Sequence, residues 1–185
     1  MIPHFAITII LLREIVKTMQ TIERLEQIEK WLETHRPDYH ALLQAPAAEN
    51  EISAAEERLH VQFSDAFKLL YQWHSGQRPR EFTPLLFNLT FMTLPEIIEA
   101  KESLDHVAEF DQWKKDSWWP TWIPFLDNGG GDYLCFDLGG FKTGSTEQIL
   151  WFDHETHEHE IVHTNLDDFL EDLYRRMLND DLNLG

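Results

Sequence analysis

The sequence is poor in cysteine and in basic residues. Its single cysteine, Cys135, allows no internal disulfide, and nothing in the chain depends on an oxidising compartment, so we expect a cytoplasmic protein. Lys and Arg number 15 against 33 Asp and Glu, which gives a formal net charge of −18. Such a surface repels phosphate backbones and anionic membranes and attracts cations. We therefore expect a basic protein as the partner, with neither nucleic acid nor a membrane.

Long apolar runs are also missing. The apolar stretch from Phe5 to Leu12 is much shorter than the roughly 20 residues of a membrane-spanning helix. No Lys or Arg precedes this stretch and no small-residue cleavage pattern follows it, so it does not fit a secretory signal. We interpret residues 1–19 as an N-terminal extension, an extra helix or strand, and residues 20–185 as a single domain. The sequence leaves both Met1 and Met19 open as the first residue.

The short motifs of common enzyme classes are absent or lie in the wrong structural context. Gly129 to Gly131 lead into a second apolar run that predicts a strand, whereas a dinucleotide fingerprint opens a helix. No G-K-[ST] or G-x-S-x-G sequence occurs. The stretch His159-Glu160-Ile161-Val162-His163 has H-E-x-x-H spacing, but it lies in a run that predicts a strand, and the metalloprotease motif requires a helix. We therefore expect no enzymatic activity, no catalytic residues, no cofactor and no metal. A metal-dependent hydrolase that uses Asp127, Asp132 and His154 stays open as an alternative.

What the chain does contain predicts a well-packed α+β domain. Hydrophobic residues make up 43% of the sequence, and seven are Trp. Apolar residues recur every three or four positions over 20–35, which predicts a helix with Ile22, Leu25, Ile28 and Leu32 on one face. Helix starts are predicted at Ser53, Ser64, Thr93 and Asn165, which are residue types that cap helices. Ser53 and Thr93 also have a Glu three residues later, the capping-box spacing.

Short β-type runs fill most of the second half. They lie at 85–91, 122–126, 132–138, 148–153 and about 159–163, and polar or glycine-rich turns separate the last four. An apolar stripe from Leu166 to Leu178 predicts a closing amphipathic helix. The order predicts an antiparallel meander flanked by N-terminal helices and this C-terminal helix.

The candidate partner-binding residues lie in and near the turns of this meander. Acidic and amide side chains flank the three glycines, a tryptophan pair precedes them, and an acidic, histidine-rich turn follows. One tryptophan of an adjacent pair in an extended segment points outward and can anchor an interface. The candidates are Asp127, Asn128, Asp132, Trp118, Asp153, His154 and Glu155. His157 and His159 would share one face of a strand, so metal binding by this hairpin stays open as a minor alternative.

Several of these segments resemble one protein family. The stretch WIPFLDNGGGDYLCFDL at 122–138, the strand QILWFDHE and the helix start NLDDFLEDL resemble the SUKH superfamily, of the kind related to the fungal cell-wall assembly regulator. Asp153-His154-Glu155 matches the family's strand end. The resemblance covers roughly residues 50–178. Phe63-Ser64 and His74-Ser75-Gly76 depart from the family pattern.

The resemblance implies an α+β domain without enzymatic activity. For a bacterial member it implies an immunity protein that neutralises a polymorphic toxin, often a nuclease. For a fungal member it implies a regulator of cell-wall synthesis. We expect the immunity function, with a basic protein toxin held by the acidic surface, and keep a regulatory scaffold or small-ligand binding module as the alternative.

Overall fold

The computed structural model describes residues 4–110, 113, 117–156 and 158–184. Four helices come first: α1 (His4–His35), α2 (Pro37–His40), α3 (Glu49–Leu59) and α4 (Asp65–Trp73). Strand β1 (Thr90–Phe91) and helix α5 (Leu94–Phe110) follow. The chain then forms β2 (Trp122–Asp127), β3 (Tyr133–Asp137), β4 (Gln148–Phe152) and β5 (His159–His163), and it ends with helix α6 (Leu166–Leu178).

The five strands form one antiparallel sheet in chain order, β1-β2-β3-β4-β5. A bulge between Pro124 and Leu126 interrupts the β2–β3 register, and a bulge of this kind bends the strand and increases its twist. The predicted meander and the α+β class are confirmed. Because consecutive strands are neighbours, the β2–β3 turn and the β4–β5 turn lie at the same end of the sheet.

One face of the sheet packs against helices. Alternate residues of β3 and β4, such as Phe136 and Ile149, point into a core shared with α1, α4 and α6. The predicted stripe of α6 is buried at Leu166, Phe169, Leu170, Leu173 and Met177. On α1, Leu25, Ile28 and Leu32 are buried as predicted, but Ile22 is exposed because it lies toward the outer side of the helix.

The opposite face holds a second, tryptophan-rich core. Trp118, Trp122, Cys135, Leu150 and Phe152 form this cluster, and the end of α5 covers part of it. Burial raises the pKa of the Cys135 thiol well above its usual value, so the cysteine is an inert core residue, as predicted. Both faces of the central strands are therefore covered, which agrees with the nearly continuous apolar character of β2 and β3.

The helix starts test the capping predictions. Ser64 and Asn165 cap α4 and α6 as predicted, and Glu96 accepts hydrogen bonds from the Thr93 backbone and hydroxyl. The prediction that α3 begins at Ser53 is wrong. The helix begins at Glu49, where the Ala48 backbone N–H donates to Glu51 Oε2 at 2.7 Å. This bond supplies one half of a capping box, since alanine has no side-chain acceptor for the other half.

Two further boundaries differ from the sequence-based expectation. Only Thr90 and Phe91 of the predicted strand at 85–91 belong to the sheet, because Leu86 and Leu89 pair with each other in a tight turn. Helix α1 crosses position 20 without a break, so residues 4–19 continue the helix predicted for 20–35. Among the helices that the structure describes, none combines the length and the hydropathy needed to cross a bilayer.

Candidate partner-binding face

The glycine-rich segment is a turn between β2 and β3, held by its own polar side chains. Asp127 Oδ1 accepts from the Gly129 N–H at 2.7 Å, and Asn128 Oδ1 accepts from the Gly130 N–H at 2.7 Å. These are the local bonds that Asp and Asn make in turns. Gly129 and Gly131 have φ values of +72° and +103°, a region that side-chain-bearing residues rarely adopt. The segment therefore needs no ligand to be ordered.

Asp132 joins this turn to the β4–β5 turn. Its Oδ1 atom lies 2.8 Å from His154 Nδ1 and accepts from the His154 backbone N–H at 3.0 Å. Its Oδ2 atom accepts from Asn128 Nδ2 at 2.7 Å. We call Asp132 and His154 the turn pair. The turn pair fixes two candidate segments, 127–132 and 153–155, against each other.

Gly131 allows the two turns to approach closely. A Cβ atom at this position would lie 3.0 Å from His154 Cγ and 3.2 Å from His154 Cδ2. Both distances are shorter than ordinary van der Waals contact. Position 131 thus requires glycine for two reasons: its φ value is positive, and the His154 imidazole ring leaves too little room for a Cβ atom.

The β4–β5 turn contributes the remaining candidates. Asp153 Oδ1 accepts from the Glu155 and Thr156 backbone N–H groups at 2.9 and 2.8 Å. Glu155 and His154 are exposed. The predicted polar hairpin tip between β4 and β5 is confirmed. His157, one half of the alternative metal pair, lies outside the described residues.

Two carboxyl groups of this face, those of Asp127 and Asp132, have perturbed pKa values. Burial raises the pKa of Asp127, the Gly129 N–H opposes that rise, and the charges of Glu96 and Asp132 add to it. Burial would also raise the pKa of Asp132, but hydrogen bonds from His154 and Asn128 hold that pKa below its usual value. The hydrogen bond to Asp132 raises the pKa of His154. The turn pair is therefore an ion pair when His154 is protonated.

Trp118 does not belong to this face. Its side chain is 7% exposed, its Nε1 donates to Asp105 Oδ1 at 2.7 Å, and its ring contacts Trp122 and Phe152. The buried Lys101 ammonium lies 5.5 Å from the ring centroid. The expectation of an outward-facing Trp118 is wrong, because the tryptophan cluster and this polar network bury the ring.

A different aromatic side chain occupies the position expected for an anchor. Phe82 is 78% exposed, and its ring lies about 3.8 Å from the position of a Cβ at Gly129. Phe82 lines an open cleft of about 400 Å³ between α5 and the loop after α4. The cleft is lined by four acidic and two basic side chains, namely those of Glu81, Glu96, Glu99, Asp127, Arg78 and Arg80.

We call this surface the acidic turn face: Asp127, Asn128, Asp132, Asp153, His154 and Glu155 together with Phe82, Glu96 and Glu99. Sequence reasoning missed the last three. Phe82 stands in a polar loop between Arg80 and Pro84, which is an unusual place for a large apolar residue. That isolation is the one signal in the sequence that points to it.

The arrangement offers binding more readily than catalysis. In the described part of the chain, the His154 ring bonds to Asp132, and no serine hydroxyl or cysteine thiol donates to it. Asp127 is engaged by a backbone N–H of its own turn. The three residues of the alternative metal-dependent hydrolase thus serve turn structure. Among the described residues, their ligand atoms do not form a close group of three that could hold the metal ion such an enzyme needs.

Comparison with known proteins shows that the residues of the acidic turn face lie in the part of the chain that matches a protein family. The family described as "SMI1 / KNR4 family (SUKH-1)" matches residues 46–172. A cell wall assembly regulator, SMI1 of Saccharomyces cerevisiae, is 22% identical over 197 residues, which cover 82% of this chain and 39% of the regulator. A KNR4/SMI1 homolog of Eremothecium gossypii is 31% identical over 85 residues, which cover 44% of this chain and 13% of that protein.

The family match includes the whole acidic turn face, from Phe82 to Glu155, and leaves out α1 and α2. The chain spans less than two fifths of the length of the curated relatives that it matches. Their names describe those longer proteins, and the shared part is the domain described above.

Proposed function

The chain belongs to the SMI1/KNR4 family (SUKH-1), and from that premise we propose that it is an immunity protein that binds and neutralises a basic protein toxin. The SMI1/KNR4 family is not known as an enzyme family, and the proposed action is non-enzymatic. The protein would act in the cytoplasm by covering the toxin's substrate-binding surface. A nuclease is the favoured toxin class, because a nuclease must be basic to hold phosphates.

The acidic turn face is the observation that carries this proposal. An exposed aromatic ring lies beside an open acidic cleft, and the turn pair holds the neighbouring acidic turns in one geometry. Aromatic anchors surrounded by polar residues are the common energetic centre of protein interfaces. Preordered turns lose little conformational entropy on binding.

The charge of the chain supports the same partner class. At −18, the surface potential attracts a cationic protein and raises the association rate. Screening weakens long-range attraction once the Debye length falls to a few ångströms, as it does near 1 M salt. The affinity for the toxin should therefore fall as salt is added, mainly through the association rate.

The test measures binding of the purified protein to the toxin encoded beside its gene. We expect Phe82→Ala to weaken binding by about tenfold or more, the effect of removing an interface anchor. Phe110→Ala is the matched control, because Phe110 is 77% exposed and lies two turns beyond the cleft residue Ser103 on α5. We expect that control to leave affinity unchanged.

Two results would contradict the proposal. One is a complex whose affinity and association rate are the same at 0.05 and 0.5 M salt, since it would remove the electrostatic basis given above. The other is equal loss of binding in both phenylalanine variants, which would place the interface elsewhere.

A regulatory scaffold is the second candidate function. The regulator SMI1 supports it, because its match extends over 82% of this chain. In that case the partner need not be basic, and binding would depend weakly on salt. A protein that rescues cells from no neighbouring toxin, yet binds an acidic or neutral partner through the same face, would favour this alternative.

A further inference from the structure

Three side chains from separate segments converge where the first two helices meet the rest of the domain. Glu29 lies on α1, His40 is the last residue of α2, and His74 follows α4. His40 Nε2 lies 2.7 Å from Glu29 Oε1, and His74 Nε2 lies 2.9 Å from Glu29 Oε2. One nitrogen or oxygen atom from each of the three lies within 4.8 Å of the others. We call these residues the junction cluster.

The hydrogen bonds of His74 indicate that a cation belongs in this cluster. Its Nδ1 lies 2.6 Å from the Gln44 carbonyl oxygen, while its Nε2 faces the Glu29 carboxylate. Both partners are acceptors. A neutral imidazole carries one N–H and one lone pair. In neutral His74, one ring nitrogen would therefore direct its lone pair at an acceptor oxygen, and the two would repel each other. Either a second proton or a metal ion at Nε2 removes this conflict.

We propose that the junction cluster binds a divalent transition-metal ion of the zinc type through His40 Nε2, His74 Nε2 and one carboxylate oxygen of Glu29. This inference is independent of the proposed function. It also revises the expectation, drawn from the sequence, that the chain holds no metal ligands.

The donor set suits such an ion. Two imidazole nitrogens and one carboxylate oxygen are a common zinc ligand set, with water in the fourth position. Ligands about 2.1 Å from a tetrahedral ion are about 3.4 Å apart. The His40 and His74 distances to Glu29, 2.7 and 2.9 Å, therefore need to widen by about half an ångström. Rotation of partly exposed side chains can supply that change.

Neighbouring groups already orient the ligands. The Gln44 carbonyl fixes the tautomer of His74 so that Nε2 carries the lone pair, the arrangement that metal-binding histidines commonly show. Trp73 Nε1 donates to Glu29 Oε2 at 3.0 Å and holds the carboxylate in place. All three ligands are half-buried, so they are restrained yet reachable from solvent.

The position of the cluster indicates a structural role for the ion. Glu29 and His40 lie outside the family match at 46–172, whereas His74 lies inside it. An ion bound by all three would connect α1 and α2 to the domain body. Because the ion binds the folded state only, it should raise stability by mass action.

The acidic residues elsewhere do not offer the same arrangement. Within the described ranges, the junction cluster is the one group of three or more His, Cys, Asp or Glu side chains with suitably close ligand atoms. The turn pair, by contrast, has one histidine and one carboxylate. The turn pair therefore supplies a matched control in the same chain.

The experiment uses the full chain, without a polyhistidine tag and treated with a chelator. Titration with Co²⁺ and with Zn²⁺, followed by visible absorption and calorimetry, should show one site per chain. We expect His40→Gln to weaken that binding by about a hundredfold or more, a larger effect than the loss of an orienting group. His154→Gln should leave it unchanged. At a hundredfold excess of Zn²⁺ over its Kd, we expect Tm to rise by about 5–10 °C.

A second measurement needs no variant and therefore does not depend on correct folding of a mutant. In the wild-type protein, Co²⁺ should broaden or shift the amide resonances around Glu29, His40 and His74, and leave those at 153–159 unaffected.

Three results would overturn the proposal. Absence of a Co²⁺ spectrum at millimolar metal would mean that the cluster binds a proton only. Loss of binding in His154→Gln but not in His40→Gln would assign the metal to the histidine-rich hairpin. Paramagnetic effects confined to 153–159 would do the same.

Discussion

The turn pair and the junction cluster use the same chemistry in different settings. In the turn pair, one exposed histidine contacts one carboxylate, and the contact joins two neighbouring turns of one sheet. In the junction cluster, two histidines and the Trp73 N–H share the Glu29 carboxylate, and the contact joins three segments that are far apart in sequence. The two sites share the same type of contact and differ in the number of segments that the contact joins. We infer that this number sets how much of the fold each site holds together.

The two sites also respond differently to solvent. His154 is exposed, so water and salt screen its attraction to Asp132. Burial would raise the pKa of Glu29, but hydrogen bonds from His40 and His74 outweigh that effect and lower the pKa. We therefore expect the junction cluster to contribute more to stability, and the turn pair to matter mainly for the shape of the acidic turn face.

The largest effect should come from Glu29→Ala. The substitution removes the hydrogen-bond partner of the His40 and His74 ring nitrogens and of the Trp73 Nε1–H. These groups are half-buried, and we expect the loss of their shared partner to cost about 2–3 kcal/mol in total. Urea denaturation in the presence of a chelator measures this loss without any contribution from metal.

Glu33→Ala is the control for that measurement. Glu33 is exposed on the same helix, so its loss should change the free energy of unfolding by less than about 0.5 kcal/mol. Equal effects of the two substitutions would mean that Glu29 is an ordinary surface residue.

Gly131→Ala should have the second largest effect. The alanine must adopt a φ of +103° and place its Cβ 3.0 Å from the His154 ring, which should destabilise the fold by about 1–2 kcal/mol. Gly144→Ala separates the two causes, because Gly144 has a φ of +83° and no atom within 4 Å of the added Cβ. Thermal or urea unfolding of both variants gives the comparison, and a Gly144 effect as large as that of Gly131 would remove the role of the His154 contact.

The smallest effect should be the pH dependence of the turn pair. The fold raises the pKa of His154 above 6.5 and lowers that of Asp132 below 3.8. The stability from the charged pair is thus fully present between these two values. It is lost as the pH rises through the raised His154 value, because the imidazole gives up its proton.

Urea denaturation of the wild-type protein and of His154→Gln at pH 5.5, 7 and 8.5 measures this dependence. We expect the wild-type advantage to be greatest at pH 5.5 and to shrink toward pH 8.5. An advantage that grows with pH would have the wrong sign and would contradict an ion pair.

Much of the fold could be predicted from the sequence because local patterns determine where strands, turns and helix caps form. The short apolar runs, the glycine turn and the caps at Ser64, Thr93 and Asn165 each act within a few residues. The start of α3 was predicted at the wrong residue because the true N-cap, Ala48, has no capping side chain, whereas Ser53 and Glu56 have capping-box spacing one turn later. Local propensity alone does not select between such neighbours.

The candidate site could be predicted from the sequence only in part. Asp127, Asn128 and Asp132 could be placed because they flank a turn, and His154 because it ends a strand. The exposure of Phe82 and the burial of Trp118 depend on how α5 and the preceding loops pack on the sheet. No periodicity in the sequence reports that packing.

The sequence by itself determined the class of the fold, the acidic character of the surface and the turn chemistry, because composition, spacing and capping are properties of neighbouring residues. Only the tertiary structure decided which aromatic ring faces solvent and that Glu29, His40 and His74 meet. These three residues are 11 to 45 positions apart, and a contact at that separation exists only when helices pack in one specific arrangement.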